Sequence, residues 1–328
     1  MGEPAGIGPE LILKAWMARG ADVPSFLAIA DGGHLRSLAT SLGLSVQIVE
    51  ISSAAEAETV FSRALPVLPL DGSVTASPGV PGAADAPLVI AAIERAVALA
   101  QAGEVAGLVT QPIAKHVLKA AGFGFPGHTE FLGHLAGGAR PVMMLAIEGL
   151  RVVPVTVHVP LAEVPRRLDE EGIVAIGRIV AASLARDFGI ARPRLAVAGL
   201  NPHAGEAGTI GREETDILAP AISRLAADGI DVRGPLSADT MFHAEARAAY
   251  DAALCMYHDQ ALIPLKTLDF HNGVNVTIGL PFVRTSPDHG TAFDIAGRGV
   301  ARADSTLAAI RLAARMAASR AAAPQGGG

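Results

Sequence analysis

The sequence predicts an α/β fold in which helices cover a largely parallel β-sheet. Apolar runs of strand length alternate along the chain with amphipathic stretches of helix length, as in strands joined by crossover helices. Hydrophobic residues make up 50% of the chain and aromatic residues only 4%, so Ala, Val, Leu and Ile must fill the interior. Because 328 residues exceed what one small core organises, two packed domains are expected.

The individual elements follow from these runs in chain order. Strands are predicted at Phe26–Ala30, Val105–Val109, Val142–Ile147, Val152–Val157, Leu195–Gly199, Ala252–Tyr257 and Asn275–Leu280. Helices are predicted at Ala86–Ala102, Gly172–Phe188, Arg212–Ala227 and Ser305–Ala318. The stretch from Pro66 to Pro87, rich in Pro, Gly, Ser and Ala, is predicted to be a surface loop, and the tail after Ala321 is expected to be disordered.

Charge and cysteine content restrict the class of protein. A formal net charge of −6 argues against a nucleic acid or an anionic membrane as partner, because both require a concentrated basic surface. No apolar run reaches the length of a membrane span. The single cysteine, Cys255, lies in an apolar run, so an intramolecular disulfide is impossible and a buried thiol is expected. With no signal peptide pattern at the start, these features predict a cytoplasmic protein.

Three histidines share the same placement. His158, His203 and His258 each follow an apolar, β-prone run, and in α/β folds the residues beyond the carboxyl ends of strands converge on one site. Three neutral nitrogen donors leave the charge of a divalent ion uncancelled and a fourth position open, as in catalytic zinc-type sites. The competing interpretation makes each a core or capping histidine with a local partner.

A second group of residues suits an anion. In PGHTEFLGHL, Thr129 is the predicted N-cap of a helix, which places His128 at a helix N-terminus where an anion is favoured. Lys266, Asn275 and Arg284 follow, and the lysine and arginine lie in apolar surroundings that suit a phosphate or carboxylate clamp. A capping motif with an incidental histidine, and interdomain salt bridges, are the alternatives.

Two aspartates are candidates for orienting or proton-transfer roles. Asp239 lies in GPLSADTMF, and Asp259 directly follows His258. A carboxylate beside a histidine ligand commonly orients its ring, and one near a metal-bound hydroxyl can accept a proton. For Asp239 a helix cap is the competing explanation.

Taken together, the motifs resemble a known family. GEPAGIGPE, GHTEF, TVHVPL, NPHAGE, GPLSADTMF, YHDQALIPLK and NVTIGLPFVRTSPDHGTAFDIAG resemble the 4-hydroxythreonine-4-phosphate dehydrogenase family of vitamin B6 biosynthesis, from Gly2 to about Gly299. The resemblance implies two α/β/α domains similar to isocitrate and isopropylmalate dehydrogenases, and a homodimer with each active site in the interdomain cleft at the subunit interface. Residues 1–127 plus 266–328 would form the cofactor-side domain, and 128–265 the metal and dimer-interface domain.

The resemblance also implies roles for the candidate residues. Ligands from both subunits would hold one divalent ion, Zn, Mg or Co. Those ligands would be His158, His203 and His258. Substrate would contact His128, Thr129, Lys266, Asn275 and Arg284. Asp239 and Asp259 would keep the site in order, and either of them or a lysine such as Lys266 would act as the base.

The cofactor prediction rests on the segment DHGTAFDIAG. It resembles the adenosine-binding loop of isopropylmalate dehydrogenases, which differs from a Rossmann fingerprint, and this assigns His289, Gly290, Thr291 and Asp294 to the cofactor. A carboxylate at Asp294 would bond the adenine ribose and repel the extra phosphate of NADP, so NAD is expected. A simple turn is the alternative.

The implied activity is an oxidative decarboxylation. NAD would oxidise 4-phosphohydroxy-L-threonine to a β-keto acid, with a metal that lowers the hydroxyl pKa, and loss of the carboxylate would give 3-amino-2-oxopropyl phosphate for pyridoxal phosphate synthesis. A paralogue acting on threonate or erythronate 4-phosphate would keep every motif. A metal hydrolase and a non-catalytic phosphometabolite-binding protein are further alternatives, against which the adenosine-type loop argues.

Two departures from the family occur near the start. Glu3 stands where the family usually has Asp, and the strand that normally precedes the first loop is missing. The glycine-rich loop, with Pro9 suited to a first helical turn, fits either a phosphate site or a plain turn. We expect about five to eight apolar residues to be encoded ahead of Met1, or another segment to cover the gap, since a parallel sheet lacking a strand is costly.

Overall fold

The computed structural model describes residues 1–323, which divide into two compact units. Unit 1 consists of Met1–Pro141 and Leu280–Ala317, and unit 2 of Val142–Gly279 with the residues from Ala318 onward. The roles that the resemblance gives to the two predicted domains stay predictions. None of the described helices is long and apolar enough to cross a membrane.

Unit 1 contains a three-stranded parallel sheet and a separate parallel strand pair. The sheet has the order β1-β3-β2, with β1 at Ala28–Ala30, β2 at Ile48–Glu50 and β3 at Leu65–Pro69. In the pair, β4 (Gly107–Val109) lies parallel to β11 (Val283–Pro287). Its helices are α1 (Gly8–Met17), α2 (Gly32–Ser41), α3 (Ala57–Phe61), α4 (Ala86–Gln101), α5 (Lys115–Ala120) and α6 (His128–Leu135), and α12 (Asp304–Ala322) begins in this unit.

Edge strands of unit 1 border a cavity of about 470 Å³. Its lining is mainly apolar and includes residues from β1, β4 and the helices around them, among them Ala28, Ile29, Ala92, Ile93, Leu108, Val109 and Ile310. Met1 also lines it, directly before the buried loop that leads into α1. The additional strand expected ahead of this loop stays a prediction.

Unit 2 contains six neighbouring strands of one sheet. Its strands are β5 (Val142–Ile147), β6 (Leu150–Pro154), β7 (Arg194–Ala198), β8 (Asp231–Leu236), β9 (Ala252–Cys255) and β10 (Val274–Ile278), in the order β10-β5-β6-β9-β7-β8. Pairing is antiparallel from β10 to β6 and parallel from β6 to β8. The helices are α7 (Val164–Arg167), α8 (Glu170–Phe188), α9 (Ala219–Ala227), α10 (Ala244–Arg247) and α11 (His258–Leu268).

Helix α8 shows how the sequence sets these elements. Asp169 caps its first turn by accepting a 2.6 Å bond from the Gly172 amide, and Gly189 ends it with a φ of 68° that a side chain disfavours. One face, with Ile173, Val180 and Leu184, is fully buried. Amphipathic helices of this kind cover the sheet, as the sequence predicted.

The α/β class is confirmed, while several elements differ from expectation. The surface loop predicted from Pro66 is wrong at its start, because Leu65 and Val67 are fully buried in β3, and their burial outweighs the lost donors of the strand's prolines. Strands β2, β8 and β11 were not predicted. The helix expected from Arg212 begins with a π-helical turn at Glu214–Leu218. The disorder expected after Ala321 falls largely on residues 324–328, outside the described residues.

Candidate metal and anion sites

Four neighbouring parallel strands of unit 2 bring polar residues to one edge of the sheet. Strands β6, β9, β7 and β8 run in the same direction, so their carboxyl ends lie side by side. His158, His258, His203 and Asp239 follow these four ends respectively, each within a few residues. The placement inferred for the three histidines is therefore observed, and Asp239 joins them through a strand that was not predicted.

His158 and His258 are direct neighbours. Their ring centroids lie 5.9 Å apart, and Nδ1 of His258 lies 2.7 Å from Oδ1 of Asp259. The loops that carry them are joined by the buried hydroxyl of Thr156, which donates to the carbonyl of Met256 at 2.7 Å. The two imidazoles thus share one part of the edge, and a carboxylate orients the second ring.

His203 lies in a left-handed turn. The segment Pro202–Gly208 has positive φ angles from His203 to Ala207, four of them at residues with a side chain. Such a conformation costs roughly 1–2 kcal/mol for each L residue. Nδ1 of His203 lies 2.5 Å from Oε1 of Glu206, and this hydrogen bond and the charge of Glu206 raise the pKa of His203. Asp239 adds a smaller electrostatic contribution of the same sign.

Gln260 joins two of the histidine-bearing segments. Its side-chain oxygen accepts from the Met256 amide at 2.6 Å, and its side-chain nitrogen donates to the Gly199 carbonyl at 2.7 Å. Met256 precedes His258, and Gly199 follows β7 on the way to His203. The sequence analysis did not select Gln260, although its position two residues after a candidate ligand was the available signal.

The donor types at this edge suit a divalent metal. His203 and His258 each direct Nδ1 to a carboxylate, which is the arrangement that presents Nε2 to a metal. Among residues 1–323, however, no three His, Cys, Asp or Glu side chains are grouped so that they could hold an ion. The ligand set of His158, His203 and His258 stays a prediction.

Three further candidate residues lie in unit 2, namely Asp239, Lys266 and Asn275. Asp239 accepts a 2.5 Å bond from the Ser237 hydroxyl. Lys266 is in the last turn of α11, with Nζ 5.7 Å from the ring centroid of Phe270. Asn275 is partly buried on β10, opposite Leu145 of β5. Their contacts with substrate stay predictions.

Unit 1 holds a buried guanidinium. Arg284 on β11 is only 3% exposed, and its Nη2 and Nε lie 2.7 and 3.2 Å from the hydroxyl of Thr110. Burial lowers the pKa of Arg284 to about 10, so it remains charged at neutral pH. A buried cation beside a hydroxyl is a suitable partner for a phosphate or carboxylate.

His128 contributes to the same electropositive region. It is the first residue of α6, whose N-cap is Gly127, so the prediction of Thr129 as N-cap was wrong: Thr129 is the second helical residue. Burial, followed by the positive charge of Arg284 and, more weakly, that of Lys115, holds the pKa of His128 well below its ordinary value. His128 is therefore neutral at pH 7, and the surrounding excess of positive charge favours an anion.

Two polar atoms of this region have no hydrogen-bond partner among the described residues. They are Nε2 of His128 and Oε1 of Gln111, both buried. A ligand with both donor and acceptor groups would satisfy them. Sequence reasoning missed Thr110 and Gln111, although they follow β4 directly and so carry the same signal as the three histidines.

The predicted cofactor loop packs against the glycine-rich N-terminal loop. The carbonyl of Thr291 accepts from the Ile7 amide at 2.9 Å, and a Cβ at Gly6 would lie only 2.8 Å from that carbonyl. Nε2 of His289 is buried without a partner among the described residues, and Asp294 is exposed. Pro9 lies in the first turn of α1, as expected. The loop presents a carboxylate to solvent, which fits a role in binding a ribose hydroxyl.

Comparison with known proteins identifies the family. A family model described as pyridoxal phosphate biosynthetic protein PdxA matches residues 22–313. The chain belongs to the PdxA family. A 4-hydroxythreonine-4-phosphate dehydrogenase of Methylorubrum populi is 56% identical over 97% of this chain and 93% of its own length. One of Caulobacter vibrioides is 55% identical, over 97% and 96% respectively.

Solved structures agree with the PdxA assignment. A 4-hydroxythreonine-4-phosphate dehydrogenase of Klebsiella pneumoniae has a TM-score of 0.88 and 40% identity, covering 97% of this chain and 96% of its own. A terephthalate 1,2-cis-dihydrodiol dehydrogenase of Burkholderia xenovorans has a TM-score of 0.65 and 30% identity, covering 96% of both. The fold seen in PdxA proteins thus also occurs in a dehydrogenase named for a different substrate.

His128 makes the stability of the protein depend on pH. Its pKa is depressed in the folded chain but near the ordinary histidine value of about 6.5 in the unfolded chain, so the unfolded chain binds the proton first as pH falls. The stability that neutral His128 contributes is fully present above the pKa of the unfolded chain and is lost as pH falls below that pKa. We expect the Tm to fall more steeply from about pH 7 to pH 5 in the wild type than in His128→Asn, measured by calorimetry. Equal slopes would contradict the assignment.

Proposed function

We propose that this protein is an NAD- and divalent-metal-dependent dehydrogenase that converts 4-phosphohydroxy-L-threonine to a β-keto acid, which decarboxylates to 3-amino-2-oxopropyl phosphate. Membership of the PdxA family carries this proposal, because relatives more than half identical over nearly the whole chain are named for that substrate. The buried cationic region of unit 1 supports it, since a phosphorylated acid requires such a partner.

In this proposal the residues of unit 1 bind the phosphate. Arg284 supplies a charged fork held in place by Thr110, and the amides at the start of α6 add donors near His128 and Thr129. Because His128 is neutral before binding, the arriving dianion raises its pKa and favours protonation. Anchoring the phosphate holds a small, flexible substrate so that its reacting carbon is oriented.

In the same proposal, the residues of unit 2 hold the metal and accept the proton of the substrate hydroxyl. His158, His203 and His258 would be the ligands, with Glu206 and Asp259 orienting two of the rings. A divalent ion bound there supplies Lewis acidity to the substrate hydroxyl and to the product carbonyl. Asp239, Asp259 and Lys266 are the candidates for the base that removes the hydroxyl proton, and Asn275 completes the polar contacts with substrate.

The cofactor part of the proposal rests on the loop from His289 to Asp294. Gly290 and Thr291 would let the backbone approach the adenosine, and the exposed carboxylate of Asp294 would accept from the ribose hydroxyls. NAD supplies the hydride acceptor.

We also propose that the protein works as a homodimer in which both subunits contribute metal ligands. Exposed apolar side chains of unit 2 support this: Ile263 and Leu268 of α11 and Phe270 after it are 64%, 45% and 68% exposed. Several large apolar side chains exposed within one short segment suit a surface that a partner covers. The ligands, which are not grouped within residues 1–323, also fit a shared site.

A related substrate is the second candidate. The Burkholderia xenovorans dehydrogenase shares 30% identity and a TM-score of 0.65 with this chain, yet is named for a dihydrodiol. Similar scaffolds therefore serve more than one substrate, and threonate or erythronate 4-phosphate would fit the same motifs. A metal hydrolase would turn over substrate without NAD, and a binding protein would retain its ligand after metal removal.

The deciding measurement is NADH formation, followed at 340 nm, with 4-phosphohydroxy-L-threonine and threonate 4-phosphate in parallel. We expect activity with the first substrate, loss on treatment with a chelator and recovery on adding Zn, Mg or Co. A higher kcat/KM for threonate 4-phosphate would identify the paralogue instead, and turnover without NAD would identify a hydrolase.

Replacing His158, His203 or His258 by Ala should leave a folded protein with less than about a tenth of wild-type turnover, because each would remove a metal ligand. Mixed dimers of His158→Ala and His203→Ala chains should recover part of the activity if the two ligands come from different subunits. Purified heterodimers that stay inactive would contradict shared sites.

Replacing Asp294 by Asn should raise the KM for NAD and reduce the preference over NADP by on the order of ten- to a hundredfold, because a charged hydrogen bond and a repulsion are both lost. Asp288→Asn, on the same loop but outside the predicted ribose contact, is the comparison variant. If Asp294→Asn leaves the ratio of the two kcat/KM values unchanged, the loop does not select the cofactor.

A further inference from the structure

The turn that carries His203 adopts a conformation that most of its residues disfavour. His203, Ala204, Glu206 and Ala207 all have φ between 42° and 54°, where a Cβ is crowded by the backbone. Strained segments of this kind persist only where surrounding contacts hold them. The neighbouring residues must therefore supply interactions that fix the turn.

Glu214 supplies such interactions from outside the turn. Its side chain is buried, with the residue 4% exposed, and one carboxylate oxygen accepts from the Asn201 amide at 2.7 Å. The other accepts from the Asn201 side-chain nitrogen at 2.9 Å. Asn201 directly precedes the segment Pro202–Gly208, so both bonds hold the extended residue two positions before the first positive φ, at His203.

The carboxylate of Glu214 also packs against the backbone of the turn. A Cβ added at Gly205 would lie 2.5 Å from its Oε2, and one at Gly199 would lie 3.3 Å from its Oε1. Burial alone would raise the pKa of Glu214, but the bonds from Asn201 keep the pKa below its ordinary value. The group is therefore a buried carboxylate anion enclosed by the segment that leads to His203.

The backbone around Glu214 is itself unusual. Glu214 is the first residue of the π-helical turn Glu214–Leu218, which leads into α9. Turns of this type inside helices are rare and frequently occur at functional sites. Here the wide turn coincides with the residue whose carboxylate meets Asn201.

We propose that Glu214 is a positioning residue that holds the left-handed turn and thereby fixes His203 at the edge of the sheet. It acts through Asn201 and the turn backbone. The part of this inference that concerns metal binding rests on the proposed function, because it takes His203 as a ligand. The part that concerns the turn is independent of that proposal.

Glu213 offers a matched control. Its Oε2 accepts from the Asn201 side-chain nitrogen at 2.8 Å and from the Arg212 amide at 3.1 Å, whereas the Asn201 amide donates to Glu214. It is also less buried than Glu214. Removing it takes away a neighbouring carboxylate of the same charge while leaving both bonds of Glu214 in place.

The test compares Glu214→Ala, Glu214→Gln and Glu213→Ala by amide hydrogen exchange. We expect Glu214→Ala to speed exchange of residues 201–211 by about tenfold or more, as the loss of charge-assisted hydrogen bonds predicts, with helix α8 unchanged as an internal reference for folding. Glu214→Gln keeps one acceptor for the Asn201 amide and should show a smaller increase. Glu213→Ala should change exchange by less than about twofold. Wild-type exchange rates in Glu214→Ala would overturn the proposal, as would equal acceleration in Glu213→Ala.

A cobalt titration, followed by visible absorption, then separates the turn from the metal. We expect Glu214→Ala to weaken Co²⁺ binding by about 10–100-fold, as loss of a group that orients a ligand does, with excess metal restoring kcat and leaving the KM for NAD unchanged. A turn that loosens without a change in Co²⁺ affinity would remove His203 from the metal site and so contradict the proposed ligand set, while the role of Glu214 in the turn would stand.

Discussion

Parallel pairing of four strands in unit 2 determines where the polar chemistry of that unit can lie. Because β6, β9, β7 and β8 run in one direction, the segments that follow them all leave the sheet at the same edge. Beyond that edge their backbone groups no longer form hydrogen bonds between strands. Strands β6, β9 and β7 are largely buried and apolar, so most polar side chains of this part of the unit lie beyond the strand ends. The imidazoles, Asp239 and Gln260 therefore lie along one edge of the sheet as a result of topology.

The electrostatics of the two units differ in kind. In unit 1, Arg284 and the neutral His128 are enclosed, so an anion there would interact through a low dielectric and strongly. In unit 2, His203 is exposed and obtains its raised pKa mainly from the adjacent carboxylate of Glu206, with a smaller contribution from Asp239. The first kind of environment favours a phosphate or carboxylate, and the second leaves an imidazole accessible to solvent.

The sequence was most informative where a residue's role follows from local pattern. The apolar runs before His158, His203 and His258 predicted strand ends correctly, because buried parallel strands have that composition. Pattern failed at β3, whose two prolines indicate a loop although burial of its leucines and valine decides the structure. It also failed to reveal Glu214, since the bonds to Asn201 depend on a tertiary fold and on a left-handed turn that no local propensity favours.

Unit 1 is discontinuous, and this has a consequence for the order of events during synthesis. Strand β4 pairs with β11, and the bond between Arg284 and Thr110 joins residues separated by 174 positions. At about 5–20 residues per second, a ribosome needs roughly 10–35 s to make the intervening chain. During that interval β4 lacks its partner, while the strands of unit 2 are emerging one after another. The nascent chain thus finishes most of its second unit before its first can close, and the anion site is among the last features to form.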